Sequence, residues 1–199
     1  MFDEEKVYPI LTAGVDEVGR GPLAGPVVAA AVILKPDHTI VGLADSKKLS
    51  EKKREFLYPQ IQEQSISYAL GEASVEEIDA INILQASLLA MKRAIEGLSI
   101  TPEHVLVDGN KAPDIHISVD TVVKGDSRVA SISAASILAK VYRDRMMVEY
   151  HQEYPQFSFH KHKAYGSKLH MEELNEHGPL PVHRKTFAPV RKLLGKMPD

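Results

Sequence analysis

Apolar positions along the chain alternate between a strand period and a helix period. Leu11 to Val18 reads as a strand, and Gly19-Arg20-Gly21-Pro22 interrupts it. Pro26 to Leu34 (PVVAAAVIL) reads as a second strand, apolar throughout and so expected to be buried on both faces. After a turn at Lys35-Pro36-Asp37-His38, Ser50 caps a helix that continues into the 60s, with Pro59 expected to kink or split it. Ser65 to Glu72 alternates as a third strand. Two hairpin-like connections make these three strands antiparallel.

Ser74-Val75-Glu76-Glu77 fits a capping box, with Glu77 three residues after Ser74. The helix or helix pair behind it carries Ile81, Leu84, Leu88, Met91, Ile95 and Leu98 on one face. His104 to Val107 is a short buried strand ending at Asp108-Gly109-Asn110, and Ile115 to Val123 is another. Gly125-Asp126-Ser127 then opens a long helix to about Tyr150, and Ser167 to His177 forms a further one closed by Gly178-Pro179. The order predicts an α/β protein: a mixed sheet of three antiparallel strands followed by parallel ones, flanked by helices. The tail after about Tyr154 is expected to be a smaller helical element docked on that sheet.

The 199 residues suit one domain and contain no cysteine. That excludes disulfides, a zinc-thiolate site and a thiol nucleophile, and leaves oxygen or imidazole for any metal. No stretch approaches the ~20 apolar residues of a membrane span, and the first residues lack a signal-peptide pattern, so a cytoplasmic protein with no membrane partner is expected. The net charge of −3 argues against a nucleic-acid partner only until its distribution is considered. Residues 160–199 hold 8 Lys+Arg and 4 Asp+Glu, net +4, while residues 1–159 hold 16 and 23, net −7.

Four carboxylates stand where elements begin or end. Asp16 and Glu17 close the first strand, Asp108 closes the fourth, and Asp126 opens the long helix. Ligands collect at such ends in open sheets. If the ends meet, like charges that close need a cation, and Mg2+ or Mn2+ prefers oxygen ligands. Two ions ~3.5–4 Å apart would clamp both oxygens of an in-line phosphoryl displacement. Each acid also has an ordinary reading: Asp108-Gly109 is a common turn, and Asp126 is a plausible N-cap. Asp16 and Glu17 are strand neighbours that point to opposite faces, so both reach one spot only if the chain bends after Asp16. Asp144 lies too far along the helix to join them and reads as a surface or ion-pair residue. Glu76, Glu77, Glu172 and Glu173 read as helix-surface charges.

Gly19-Arg20-Gly21 misses both common phosphate-loop patterns, yet offers exposed amides and an arginine beside the acids. His160-Lys161-His162-Lys163-Ala164-Tyr165-Gly166 interleaves cations with an aromatic, as on a surface that follows a nucleic-acid backbone, although a solvated charge run looks the same. A histidine metal site is the weaker reading there. Asp45-Ser46-Lys47-Lys48 is a polar loop whose lysines reach a phosphate or are simply solvated.

The run Val15-Asp16-Glu17-Val18-Gly19-Arg20-Gly21-Pro22-Leu23-Ala24-Gly25-Pro26-Val27 resembles the signature of the bacterial ribonuclease HII family, the type 2 ribonucleases H. Asp45 to Ser50, Val107 to Asn110, Lys124 to Ser127, Ser131 to Val141, His162 to Gly166 and His183 to Phe187 resemble further family blocks, in family order over nearly the whole chain. The resemblance implies a ribonuclease H-like fold in a single domain over 1–199. Its catalytic core would span about 10–153, and a helical substrate-binding part about 154–199. It implies endonucleolytic hydrolysis of RNA in RNA–DNA duplexes, including single ribonucleotides embedded in duplex DNA, and so a place in ribonucleotide excision repair. The ends left would be 5′-phosphate and 3′-hydroxyl.

Carried over by position, Asp16, Glu17, Asp108 and Asp126 become the catalytic carboxylates and the ligands of two Mn2+ or Mg2+ ions. Gly19, Arg20 and Gly21 become the loop that senses the ribose 2′-hydroxyl, and Tyr165 the aromatic that stacks on the adjoining deoxyribose; Lys47, in the polar loop, is expected as a further substrate contact through a phosphate. Three departures are mild: Val18 where Ala is common, Ala164 where the block often has Gly, and Lys185-Thr186 for Arg-Ser. Ala164 bears on how Tyr165 is presented. The related type HIII enzymes carry an extra N-terminal domain, and the roughly ten residues before the first strand favour type HII. A monomer is expected. The rival readings are a ribonuclease H-fold nuclease that cuts DNA only, and a non-catalytic nucleic-acid-binding module.

Overall fold

In the computed structural model, which describes residues 8–195, the strand without a polar residue lies inside the sheet. Val27–Leu34 (β2) is buried at all eight positions. It pairs antiparallel with Thr12–Val18 (β1), Gly14 opposite Val32 through Val18 opposite Val28. It pairs antiparallel on its other edge with Ser65–Ala73 (β3). β1 pairs parallel with His104–Asp108 (β4), which pairs parallel with Ser118–Val122 (β5), giving the order β3-β2-β1-β4-β5.

Alternate side chains of β2 feed two cores. Val27, Ala29, Ala31 and Ile33 face Val75–Glu96 (α2), while Val28, Ala30 and Val32 face Glu51–Glu63 (α1) and Ala130–Glu153 (α3). α3 sits tight on β1, since a Cβ on Gly14 would lie 2.2 Å from the Ser131 carbonyl carbon. That contact brings the first turns of α3 against the end of β1, where the acids are.

Several elements differ from expectation. Pro59 lies inside α1, which runs unbroken from Glu51 to Glu63. The helix pair after the capping box bends at Asn82 (φ 69°), whose side chain accepts from the Leu84 and Gln85 amides and restarts the helix. The fifth strand is shorter than expected, Ser118–Val122. Asp126 does not open the long helix: it sits in a 3-10 turn, Gly125–Ser127, and α3 begins at Ala130.

The tail forms three short helices, Phe159–His162 (α4), Lys168–His177 (α5) and Ala188–Leu194 (α6). It docks not on the sheet but on the second half of α3 and the loop after β1. Leu23, Ala24 and Met147 share a core there with Phe157, Phe159, Ala164, Leu174 and Val190, and Ala24 bridges to His183. Residues 196–199 of the expected tail element lie outside the described residues.

Candidate active site

The parallel pairing of β1 and β4 ends at Val15 and Val107, so Asp16 and Asp108 follow at the same end of neighbouring strands. Asp108 is held from the other side: its Oδ1 accepts the Gly125 amide at 2.6 Å and the Asp126 amide at 3.4 Å. The 3-10 turn thus exists where Asp108 needs donors, and it carries Asp126 to the same place. Gly125 fits because a Cβ there would lie 2.6 Å from the Ile132 side chain.

Asp16 and Glu17 straddle the end of the sheet. Asp16 faces α3, where the Ser136 hydroxyl lies beside it and is itself 2.8 Å from Ser46 Oγ. Glu17 faces α2, in a cavity of about 130 Å3 lined also by Arg20, Ser87, Met91 and Asp108. Asp16 Oδ1 accepts the Glu17 amide at 2.8 Å, which ties the two residues' orientation together.

Burial is the main reason that three of these acids hold protons more tightly than usual. Asp16, 7% exposed, is raised well above the ordinary carboxylate range by burial, then by the charges of Glu17 and Asp108. Glu17 is raised by burial, opposed by the Arg20 guanidinium 3.2 Å away. Asp126 is raised by burial, then by Asp108 and Asp45, against the pull of Lys47. Asp108 contributes to all three shifts, so it stands at the centre of the group.

Among the described residues, no three His, Asp or Glu side chains form a ready-made metal cage. The donor set nevertheless fits a hard divalent ion: carboxylate oxygens only, crowded by like charge, at a strand end. Asp45 is a member that the sequence did not single out, since its carboxyl meets Asp126 while its Oδ1 accepts the Lys47 amide at 2.9 Å.

The loop after β1 borders this group. Gly19 has φ +92°, and a Cβ there would strike Arg143 Nε at 2.4 Å, so only glycine serves. Arg20 and Gly21 are exposed. A Cβ on Gly21 would lie 3.4 Å from the Tyr165 ring, so loop and aromatic stand side by side, with Tyr165 43% exposed. Lys47 is exposed beside Asp126.

Beneath Tyr165 lies a buried imidazole relay. The Leu180 amide donates to His183 Nδ1 (2.9 Å), so the His183 proton is on Nε2, facing His170 Nε2 at 3.0 Å. His170 Nδ1–H then donates to the Tyr165 carbonyl at 3.0 Å. His162 stacks on His170 at 4.2 Å, accepts the Ala164 amide on Nδ1 (3.1 Å) and donates from Nε2 to Glu173 at 2.8 Å. Burial drives His170 down to about 4 and His183 to about 3. Burial pushes Glu173 up, but hydrogen bonds from Ser158 and His162 outweigh it and leave it low. Glu173 is therefore a buried anchor rather than a helix-surface charge. Asp144 is likewise buried, paired with Lys140 (2.6 Å) and Arg54 (3.4 Å).

A mixed sheet in this order, with carboxylates gathered at the ends of its two central parallel strands, defines an enzyme of the ribonuclease H-like class. The ribonuclease H2 of Pyrococcus horikoshii OT3 superposes with a TM-score of 0.76 at 28% identity, over 92% of this chain and 96% of that one. The ribonuclease HIII solved as "Bst-RNase HIII in complex with Mn2+" shares the fold at 18% identity, with a TM-score of 0.68 over 92% of this chain and 69% of that one.

The model of the ribonuclease HII family matches residues 13–190. The ribonuclease HII of Marinomonas sp. (strain MWYL1) is 60% identical over 185 residues, covering 92% of this chain and 93% of that protein. That of Aliivibrio fischeri (strain MJ11) is 57% identical, covering 93% and 89%. The chain belongs to the ribonuclease HII family, and its activity is that of a ribonuclease H endonuclease acting on RNA in RNA–DNA substrates. No helix among the described residues is long and apolar enough to cross a membrane.

Proposed function

We propose that the protein hydrolyses the RNA strand with two divalent ions, Mn2+ or Mg2+, held by Asp16, Glu17, Asp108 and Asp126, and that it also cuts at a single ribonucleotide in duplex DNA. The observation that carries this reading is the gathering of Asp16, Glu17 and Asp126 around Asp108, all three with raised pKa values. Carboxylates under that strain repel a phosphodiester unless cations intervene. Bound there, such ions would supply an activated water and stabilise the leaving 3′ oxygen, which would leave 5′-phosphate and 3′-hydroxyl ends.

The chain's own groups then orient the substrate. Asp108, fixed by the Gly125 and Asp126 amides, keeps its second oxygen for the site. Arg20 holds Glu17 in place through their 3.2 Å ion pair. Gly19, Arg20 and Gly21 meet the ribose 2′-hydroxyl, the one local mark of RNA. Tyr165 stacks on the neighbouring sugar, and Lys47 meets a phosphate. The part from about residue 154 onward, which carries Tyr165, is the substrate-binding element.

Three end-labelled duplexes test this: all DNA, RNA–DNA hybrid, and DNA with one ribonucleotide, each with chelator, Mg2+ or Mn2+. Cleavage of the second and third with metal is expected, and none with chelator. An intact single-ribonucleotide duplex in both metals, or equal cutting in chelator, overturns the reading.

A further inference from the structure

Arg143 and Arg184 are fully buried, and among the described residues neither forms an ion pair with a carboxylate. A buried charge without a counterion is costly unless hydrogen bonds take the place of water. Here backbone carbonyls do so. Arg184 donates from Nε to Gly25 O (3.0 Å), from Nη1 to Arg20 O (3.0 Å), and from Nη2 to Gly19 O (2.5 Å) and Pro26 O (3.3 Å). Arg143 donates to Ala24 O (3.1 Å), Pro26 O (3.4 Å) and Lys163 O (3.1 Å). The Leu23 carbonyl accepts the Arg184 amide at 2.8 Å. Six of the eight carbonyls from Gly19 to Pro26 are thus held by the two arginines.

The consequence lies on the other side of the peptide planes. A carbonyl and the following amide point in opposite directions across a planar trans peptide. Tying the Gly19 and Arg20 carbonyls to Arg184 therefore aims the Arg20 and Gly21 amides outward. Both residues are exposed, and among the described residues neither amide has a hydrogen-bond partner.

We propose that Arg184, backed by Arg143, is a positioning residue for the reaction: by drawing the loop carbonyls inward it presents the Arg20 and Gly21 amides to the ribose. The inference rests on the reading above that this loop meets the 2′-hydroxyl. Lysine cannot substitute, because a guanidinium spreads five donors in a rigid plane and an ammonium does not. Arg184 is delivered by a strap that is itself pinned: Asp79 accepts the Lys185 amide (2.9 Å), the Thr186 amide (2.9 Å) and the Thr186 hydroxyl (2.6 Å).

The test compares kcat/KM on the single-ribonucleotide duplex and on a long RNA–DNA hybrid. In the hybrid a slightly displaced loop still finds a 2′-hydroxyl at an adjacent position, whereas the embedded ribonucleotide offers one register. Arg184→Lys is expected to lower the rate on the single-ribonucleotide duplex by about 10²-fold, the usual cost of a small misplacement, and on the hybrid by about 10-fold at most. The loss should fall in kcat rather than KM, since charge and surface are kept. Equal losses on both substrates, or none, overturn the proposal.

If Arg184→Lys does not fold, Asp79→Asn decides, because it loosens the strap from the surface. A loss of single-ribonucleotide preference of about 3-fold supports the clamp, and an unchanged preference refutes it. A wild-type enzyme that fails to cut the single-ribonucleotide duplex defeats the earlier reading instead, before any variant is compared.

Discussion

Two of the places where the protein buries charge treat it in opposite ways. At the ends of β1 and β4, carboxylates crowd one another with few donors between them, and burial and mutual repulsion raise the pKa values of Asp16, Glu17 and Asp126. Under the loop and Tyr165, two arginines, three histidines and Glu173 are buried as deeply, yet each is matched to a carbonyl, an amide or an imidazole. The first region leaves its like charges uncompensated by the chain's own groups, apart from Arg20 and Lys47. The second is complete as it stands. Strain collects where chemistry happens, and satisfied polar networks hold it in position.

The sharpest way to break this contrast is Asp16→Asn. Cleavage should fall by at least about 10²–10³-fold, the cost of losing one strong electrostatic contact to the transition state. The fold should gain stability in chelator, because a buried like charge is gone. Mg2+ should raise the melting temperature of the wild-type protein, since it binds the folded state only, and raise that of the variant much less. Near-normal turnover, or a destabilised apo variant, would place Asp16 among the satisfied groups.

Acid should break the other region. His170 and His183 have folded pKa values of about 4 and 3, below the ordinary ~6.5. The unfolded chain therefore takes up their protons first. Their contribution to stability is present above about pH 6.5 and is lost as pH falls from there toward 4 and 3, at about 1.4 kcal/mol per proton per pH unit. The groups facing this pair are His162, Glu173, Tyr165, Phe157 and Phe159, and of these only Glu173 carries a charge to offset a second proton. Urea titrations across that range check it, and a stability flat from pH 7 to 5 would remove the relay from the account.

The smallest effect expected is at Ala164, which lies buried at φ +66° between Lys163 (φ 49°) and Tyr165. Left-handed backbone costs a non-glycine residue about 1–2 kcal/mol, while the buried methyl contributes about 0.8. Ala164→Gly should therefore shift the melting temperature by no more than about 4 °C. A larger drop would mean that the methyl packs more tightly than the strain it imposes.

Much of this was legible along the chain. The apolar run of β2 announced an inner strand, Ser74 and Glu77 form the reciprocal cap that their spacing suggested, and the three antiparallel strands followed by parallel ones are present. Asp16, Glu17 and Asp108 lie where strand ends were expected. Asp126 was placed correctly beside them but for the wrong local reason, because a three-residue turn that serves Asp108 has no periodicity to read. Asp45, Arg143 and the relay could not be read at all. Asp45 and Arg143 meet partners at long sequence separations, such as Asp126 and Ala24, while the relay is closed by turns and short helices that have no period to read, and a charged residue looks solvated until its partner is known.

The clamp also has a direction in time. The carboxylates belong to residues 16 to 126, whereas Arg184 reaches back over 164 positions to the Arg20 carbonyl. A ribosome adds roughly 5–20 residues per second, so the four carboxylates are made several seconds before the side chain that holds the loop carbonyls. A nascent chain therefore carries its four carboxylates before the side chain that holds the Gly19 and Arg20 carbonyls has been made.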